Sequence, residues 1–310
     1  MNEFDLIARL TGALPTNSSV VVGAGDDCAV LKSGNPDRYL LFKTDAVVEG
    51  IHFTAEATPE QIGHKAMGRC LSDIAAMGGK PTAALVTIAL PTNFKAEFVE
   101  RIYTGINALA ARHGAAVVGG ETTTNPERML ISIALLGEVQ KKHCILRSGA
   151  KGGDALFVTG ELGGSRSGKH LDFEPRLAEA QWLVAHFAVH AMIDISDGLA
   201  GDLRHIMRQS GVGAELLERA IPISRAAKLQ ARAESSAKPP LLAALTDGED
   251  FELLFAVGGK DAIPLLDGWM AAFPKVRLSC IGKVIGGHGL KLRGKTGIHT
   301  LEAHGYVHFA

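Results

Sequence analysis

Six short acidic motifs are spread along the 310 residues: Gly25-Asp26-Asp27, Thr44-Asp45, Ser72-Asp73, Gly119-Gly120-Glu121, Asp194-Ile195-Ser196-Asp197 and Gly248-Glu249-Asp250. Nearly all adjoin Gly, Ser or Thr, and several close an apolar run. A carboxylate beside a core-bound run is costly unless a cation meets it. Mg²⁺ favours carboxylates together with water and phosphate oxygens, so separated acids bridged by a triphosphate make chemical sense. The distribution points to one electronegative cleft holding divalent ions and, through them, a polyphosphate, which is the chemistry of phosphoryl transfer. Taken singly, each motif is also an ordinary turn or cap; the weight lies in the set.

Other motifs fail on inspection. Gly163-Gly164-Ser165-Arg166-Ser167-Gly168-Lys169-His170 has the spacing of a phosphate-binding loop after a strand, but His170 stands where a Ser or Thr hydroxyl should bind Mg²⁺. Pro175 also comes too soon for the long helix such a loop needs. The stretch reads instead as a mobile Gly/Ser loop over the site. Asp194 to Gly198 resembles a calcium loop, yet the Gly is one place early and His205 replaces the bidentate Glu. No G-x-G-x-x-G follows a strand, and there is no G-x-S-x-G elbow.

The elements that must position the acids follow from periodicity. Val20 to Val22 leads into the first acidic turn, and Tyr39 to Phe42 is a strand delivering Thr44-Asp45 at its end. Thr58-Pro59 is an N-cap and first helical position, opening a helix that runs to Met77 and stops at Gly78-Gly79. On a wheel of about 100° per residue, Ile62, Ala66, Cys70 and Met77 share a face with Asp73 inside it. That buried carboxylate either pairs with Arg69 at i, i+4 or serves a metal or ligand. Strands at 83–90, 115–118 and 129–139 and a helix at 96–113 complete a mixed α/β first half. A boundary falls in the Gly-rich stretch Arg147 to Asp154, dividing the chain into 1–147 and 148–310. Beyond it come a strand at 155–159, helices at 175–187, after Gly198 and at 261–272, strands at 251–257 and 278–285, and an exposed loop from Ala231 to Pro240.

Composition bounds the partners. Lys plus Arg number 32 against 33 Asp plus Glu, a formal net charge of -1, which gives no sign of nucleic acid or an anionic membrane. Cys28, Cys70, Cys144 and Cys280 form no C-x-x-C pair and no disulfide framework. No apolar run approaches the roughly 18 residues of a membrane span, and the N-terminus is acidic where a signal peptide is basic. The expectation is a cytoplasmic, reduced protein.

In this order and context the motifs resemble the thiamine-monophosphate kinases, within the aminoimidazole-ribonucleotide-synthetase-like superfamily. The similarity runs from Phe4-Asp5-Leu6-Ile7 to Gly305-Tyr306-Val307-His308-Phe309 and is most specific at Gly25-Asp26-Asp27, Glu49 to Phe53, Leu71 to Gly78, Asp194 to Leu199 and Gly248 to Leu253. The resemblance implies a two-domain α/β fold with mixed sheets, an N-terminal domain that pairs in a homodimer, and ATP in the cleft with several Mg²⁺ ions. By position it implies metal-binding roles for Asp27, Thr44, Asp45, Asp73, Glu121, Asp194 and Asp197. It places Gly120, Glu121, Arg147 and Ser196 on ATP, and His52, Glu249 and Tyr306 on thiamine monophosphate. Asp27, Asp45, Asp73 and Asp194 would carry catalysis. Four departures stand out: Lys43 in place of a small hydroxyl residue, Glu121 for Asp, Thr124 for Arg, and a shortened stretch between Gly160 and Pro175. Lys43 either turns to solvent at a strand end or sets a fixed positive charge in the acidic cleft. The rival readings are a superfamily relative that activates an amide or selenide with ATP, and a non-catalytic nucleotide or divalent-cation binder. Cys28 follows the acidic turn instead of leading a Gly-rich loop, unlike the reactive cysteine of selenophosphate synthetases.

Overall fold

The computed structural model describes residues 3–234, 236–302, 305 and 306; Val307, His308 and Phe309 of the C-terminal motif, and Ser235 of the expected loop, lie outside them. Two mixed sheets organise the chain. In the first half, α1 (Glu3–Thr11), α2 (Pro59–Ala76) and α3 (Ala96–Arg112) accompany β1 (Val20–Val22), β2 (Ala29–Lys32), β3 (Arg38–Val48), β4 (Lys80–Leu90), β5 (Ala116–Thr124) and β6 (Leu130–Gln140). Their sheet order is β1-β2-β3-β6-β4-β5, antiparallel except for β4 beside β5. In the second half, β7 (Ala155–Thr159), β8 (Val189–Asp194), β9 (Gly213–Leu217), β10 (Leu253–Val257), β11 (Leu278–Ile285), β12 (Leu290–Gly294) and β13 (Gly297–Thr300) order as β13-β12-β9-β11-β7-β10-β8. The helices here are α4 (Lys169–Asp172), α5 (Leu177–His186), α6 (Leu199–Ser210), α7 (Arg225–Ala233), α8 (Pro240–Thr246) and α9 (Ala262–Ala272).

The central helix is α2, with fourteen of its 18 residues buried. Its N-terminus carries a capping box in which Thr58 and Gln61 each satisfy the other's backbone N–H, and Pro59 fills the first position. A helix buried on nearly every side must have its polar residues met by partners inside the protein. One core cluster runs from the inner face of the first sheet through α2 to α5, α9 and the near face of the second sheet. A second cluster fills the far face of that sheet beneath α6 and α8. The contact between α2 and α3 depends on two glycines. A Cβ at Gly63 would stand 2.0 Å from the Ile102 carbonyl oxygen, and one at Gly105 would stand 2.1 Å from that of Glu60. The two backbones therefore meet with nothing between them.

Several expectations need correction. Strand β3 continues to Val48, so Thr44 and Asp45 lie within it and not at its end. The polar run Lys43-Thr44-Asp45 interrupts the apolar signal, yet Lys43 and Asp45 alternate onto the face that meets α2. Strand β5 likewise extends through Glu121. Of the expected exposed loop at 231–240, residues 231–233 belong to the end of α7 and Pro240 opens α8, while the described residues between them lie outside helices and strands. Nor is the Gly163 to His170 stretch a loose cover. The Gly163 N–H donates to both Asp250 carboxylate oxygens at 3.0 Å, and the Ser165 hydroxyl donates to the Glu249 carbonyl at 2.6 Å. Lys169 is committed to Glu252 at 2.8 Å, so the cation of the apparent phosphate loop holds the fold together.

Candidate active site

Both sheets deliver carboxylates to the region between them. Asp27 follows β1, Asp73 lies on α2 and Asp194 ends β8; one oxygen from each lies within 4.8 Å of the others, and all three residues are buried. The pairing of β8 with β10 sets Leu253 opposite Asp194, which brings the Gly248-Glu249-Asp250 segment to the same place. Each acid has a protein partner. The Arg147 guanidinium donates to Asp27 at 2.6 Å, the Lys43 ammonium to Asp73 at 2.9 Å, and the Ser72 hydroxyl to Asp194 at 2.6 Å. Arg69 reaches Asp45 at 3.3 Å and Glu249 at 3.9 Å. The i, i+4 pairing of Arg69 with Asp73 therefore does not form: Lys43 takes Asp73, leaving Arg69 to the strand acid.

Concentrated negative charge shows in the ionisation of the cluster. Burial, and then the Asp27 charge, push Asp194 up to about 7. Burial holds Asp73 well above the usual carboxylate range despite Lys43. Burial also opposes the charge on Asp45, but Lys43 and Arg69 outweigh it and keep that carboxyl below its ordinary value. Asp27 Oδ2 is buried without a hydrogen bond. Three close carboxylates, two of them reluctant to ionise and one with an orphaned oxygen, form a donor set suited to a hard divalent cation.

From this cluster a cavity of about 380 Å³ opens, and its lining includes Asp45, Asp73, Arg147, Asp194, Ser196 and Asp197. His52, Glu249 and Tyr306 line the same cavity. Glu249 and Phe251 adopt left-handed backbone with φ of 55° and 50°, a conformation that costs a non-glycine residue on the order of 1–3 kcal/mol. It is held by N–H bonds from Glu249 to the Ser196 carbonyl at 2.7 Å and from Phe251 to that of Ile195 at 2.8 Å. Phe251 also stacks on Phe173, with ring centroids 4.0 Å apart. These bonds fix Glu249 in the cavity wall. One of its oxygens meets the buried Lys65 ammonium at 2.6 Å; the other, Oε2, makes no hydrogen bond. A larger, more apolar cavity of about 700 Å³ lies between α6 and residues 288–290 and shares Asp197 and Tyr306 with the first. It contains no acid cluster, so the chemistry belongs to the smaller one.

The structure thus gathers nine of the sequence-predicted residues around one cavity (His52, Asp45, Asp73, Arg147, Asp194, Ser196, Asp197, Glu249 and Tyr306), with Asp27 buried beside them. It does not bring Gly120, Glu121 or the Thr44 side chain there. Thr44 projects to the opposite face of the first sheet, where its hydroxyl meets that of Ser132 at 3.3 Å. Glu121 is exposed on β5, in register with Thr87 and, through β4, with Ser132. Alternation along a strand makes this unavoidable, because neighbours such as Thr44 and Asp45 cannot share a face. Sequence reasoning missed Lys65, Arg166 and His170, which crowd Glu249 at 2.6, 3.6 and 3.4 Å. Lys65 could have been found, since it precedes Arg69 by four and Asp73 by eight on the same helical ridge. The Lys65 and Arg166 cations make the surroundings of Glu249 less acidic than the motif alone suggests, while burial and Lys65 push His170 down to about 4 and keep it neutral.

A mixed two-sheet fold closed around a buried acid cluster is the architecture of the AIR synthase related proteins. The description "AIR synthase related protein, N-terminal domain" matches residues 25–139, and its C-terminal counterpart matches residues 158–295. Over 99% of its length the chain is 40% identical to the thiamine-monophosphate kinase of Rhodopirellula baltica, covering 97% of that protein. It is 34% identical to the Bacillus subtilis thiamine-monophosphate kinase, over 84% of this chain and 85% of the relative. A solved structure described as "AaThiL complexed with AMPPCP and TMP" superposes with a TM-score of 0.79 at 32% identity, covering 99% of this chain and 97% of that one. The chain belongs to the thiamine-monophosphate kinase family.

Proposed function

We infer that the chain transfers the γ-phosphoryl group of ATP to the phosphate of thiamine monophosphate, giving thiamine diphosphate and ADP. One observation carries this reading: a single cavity is lined both by Asp73 and Asp194 of the acid cluster and by His52, Glu249 and Tyr306. Thiamine monophosphate calls for both kinds of partner, having an anionic phosphate and a cationic thiazolium. Asp27, Asp73 and Asp194 would hold Mg²⁺, with Asp45 and Asp197 beside them in the cleft. Bound there, Mg²⁺ supplies charge neutralisation to the phosphate oxygens.

The chain's own groups account for the remaining requirements. The acceptor is already a phosphate anion at neutral pH, so no strong general base is needed. A phosphate oxygen of the acceptor forms its bond to the γ-phosphorus as the bond from that phosphorus to the β,γ-bridging oxygen breaks, and the electron pair leaves on ADP. Catalysis is then positioning and electrostatic stabilisation. Arg147, anchored on Asp27, and Arg69, anchored on Asp45, present fixed positive charge to the cavity. Glu249 Oε2 and the Tyr306 ring meet the thiazolium, the latter by a cation–π contact worth about 0.5–2 kcal/mol. Tyr306→Ala should raise the KM for thiamine monophosphate more than that for ATP. Equal rises would make Tyr306 a packing residue.

The same reading extends to the molecule. We place the functional division near Arg147, giving segments 1–147 and 148–310. We propose a homodimer through the outer face of the first sheet, where Phe42, Leu85, Val118 and Leu136 are between 37% and 64% exposed. Among the described residues no helix is long and apolar enough to cross a membrane. We assign the protein to the cytoplasm, with its four cysteines free and no nucleic-acid partner.

A further inference from the structure

The acid cluster already contains a cation from the protein itself. Lys43 is two residues before Asp45 on β3, so both face α2, and its ammonium lies 2.9 Å from Asp73 Oδ1. The Lys43 side chain is 21% exposed and that of Asp73 7%, so the pair is a component of the cleft and not a surface contact. Within the cluster, Asp27 is answered by Arg147 and Asp45 by Arg69. Asp73 is the acid through which Lys43 enters, and Asp73 is also one of the three residues whose oxygens converge within 4.8 Å. A small hydroxyl at position 43 would leave that side of Asp73 open to a metal ion; an ammonium group at hydrogen-bonding distance fills it.

We propose that the Lys43 ammonium takes the place of one divalent ion in the active site, so that this chain binds fewer ions than it would with a hydroxyl residue at position 43. The proposal rests on the kinase reading for its setting, but it concerns ion binding and not the identity of the acceptor. Lys43 acts as a positioning residue: it holds Asp73 and keeps positive charge in the cleft whether or not Mg²⁺ is present. Substitution should therefore change the number of ions bound, which a merely structural lysine would not do.

The test counts Mn²⁺ bound to the full chain, by the electron paramagnetic resonance signal of the free ion, with a saturating non-hydrolysable ATP analogue. Lys43→Thr should bind one further Mn²⁺ per chain than the wild type and should need more Mg²⁺ for half-maximal thermal stabilisation. Lys43→Met, which removes the charge without adding a ligand oxygen, covers the case in which the threonine variant does not fold, and should also gain an ion. Lys43→Arg should keep the wild-type number. Equal Mn²⁺ counts in the wild type and the folded neutral variant would overturn the proposal. The counts are independent of product analysis: the predicted change in ions without thiamine diphosphate formation would sink the kinase reading and leave this one standing.

Discussion

Asp73 and Asp194 are where the chemistry meets the cost of burial. Asp73→Asn keeps shape and removes charge, so turnover should fall by at least about two orders of magnitude, the scale seen for lost electrostatic stabilisation, with circular dichroism unchanged. Retained turnover would reduce Asp73 to a partner for Lys43. Asp194 makes an independent statement through pH. Its folded value of about 7 lies above the ordinary 3.8, so the protonated form favours the fold. The stability it contributes is present below about pH 4 and lost as pH rises through about 7. Without divalent ions, Asp194→Asn should therefore melt higher relative to wild type at pH 8 than at pH 5, and Mg²⁺ should narrow the gap. A melting difference that ignores pH would contradict this account of the cluster. At this scale much was legible in the sequence, because acids beside Gly, Ser and Thr at the ends of apolar runs are visible without coordinates. What was hidden is pairing. That Arg69 serves Asp45 while Lys43 serves Asp73 depends on how a strand and a helix cross, and the hydrophobic pattern carries no information about that choice.

Among the elements, α2 governs the site, since Lys65, Arg69, Ser72 and Asp73 form one polar ridge on a largely buried helix. Its close approach to α3 depends on the Gly63 and Gly105 contacts. Gly63→Ala should destabilise the protein by about 1–3 kcal/mol or more, the cost of overpacking, because backbone and not a flexible side chain must give way. A melt within a degree of wild type would show that the helices separate freely. The helix itself was readable from its capping box and glycine stop. The boundaries of β3 and β5 were not, because their polar residues face ionic partners or solvent instead of an apolar core. Short α7 and α8 were obscured by the Ala-, Ser- and Pro-rich segment between them.

For the molecule as a whole, the outer face of the first sheet carries the testable surface. Phe42 pairs with Leu136, and Leu85 lies beside Gly119 with Val118 in the adjoining bulge, giving a face with exposed apolar residues that a second copy can cover. Leu85→Glu should convert the proposed dimer to monomer in light scattering at micromolar concentration; a wild-type chain already monomeric there would remove the arrangement. No periodicity could have shown this face, because outward-facing apolar residues in a strand look the same in sequence as core ones. The central claim is the reaction, and product analysis tests it most directly. Incubated with ATP, Mg²⁺ and thiamine monophosphate, the chain should release ADP and thiamine diphosphate in equal amounts, with ADP release falling to background when the acceptor is omitted. ADP without thiamine diphosphate, or no acceptor-dependent ADP, would contradict it.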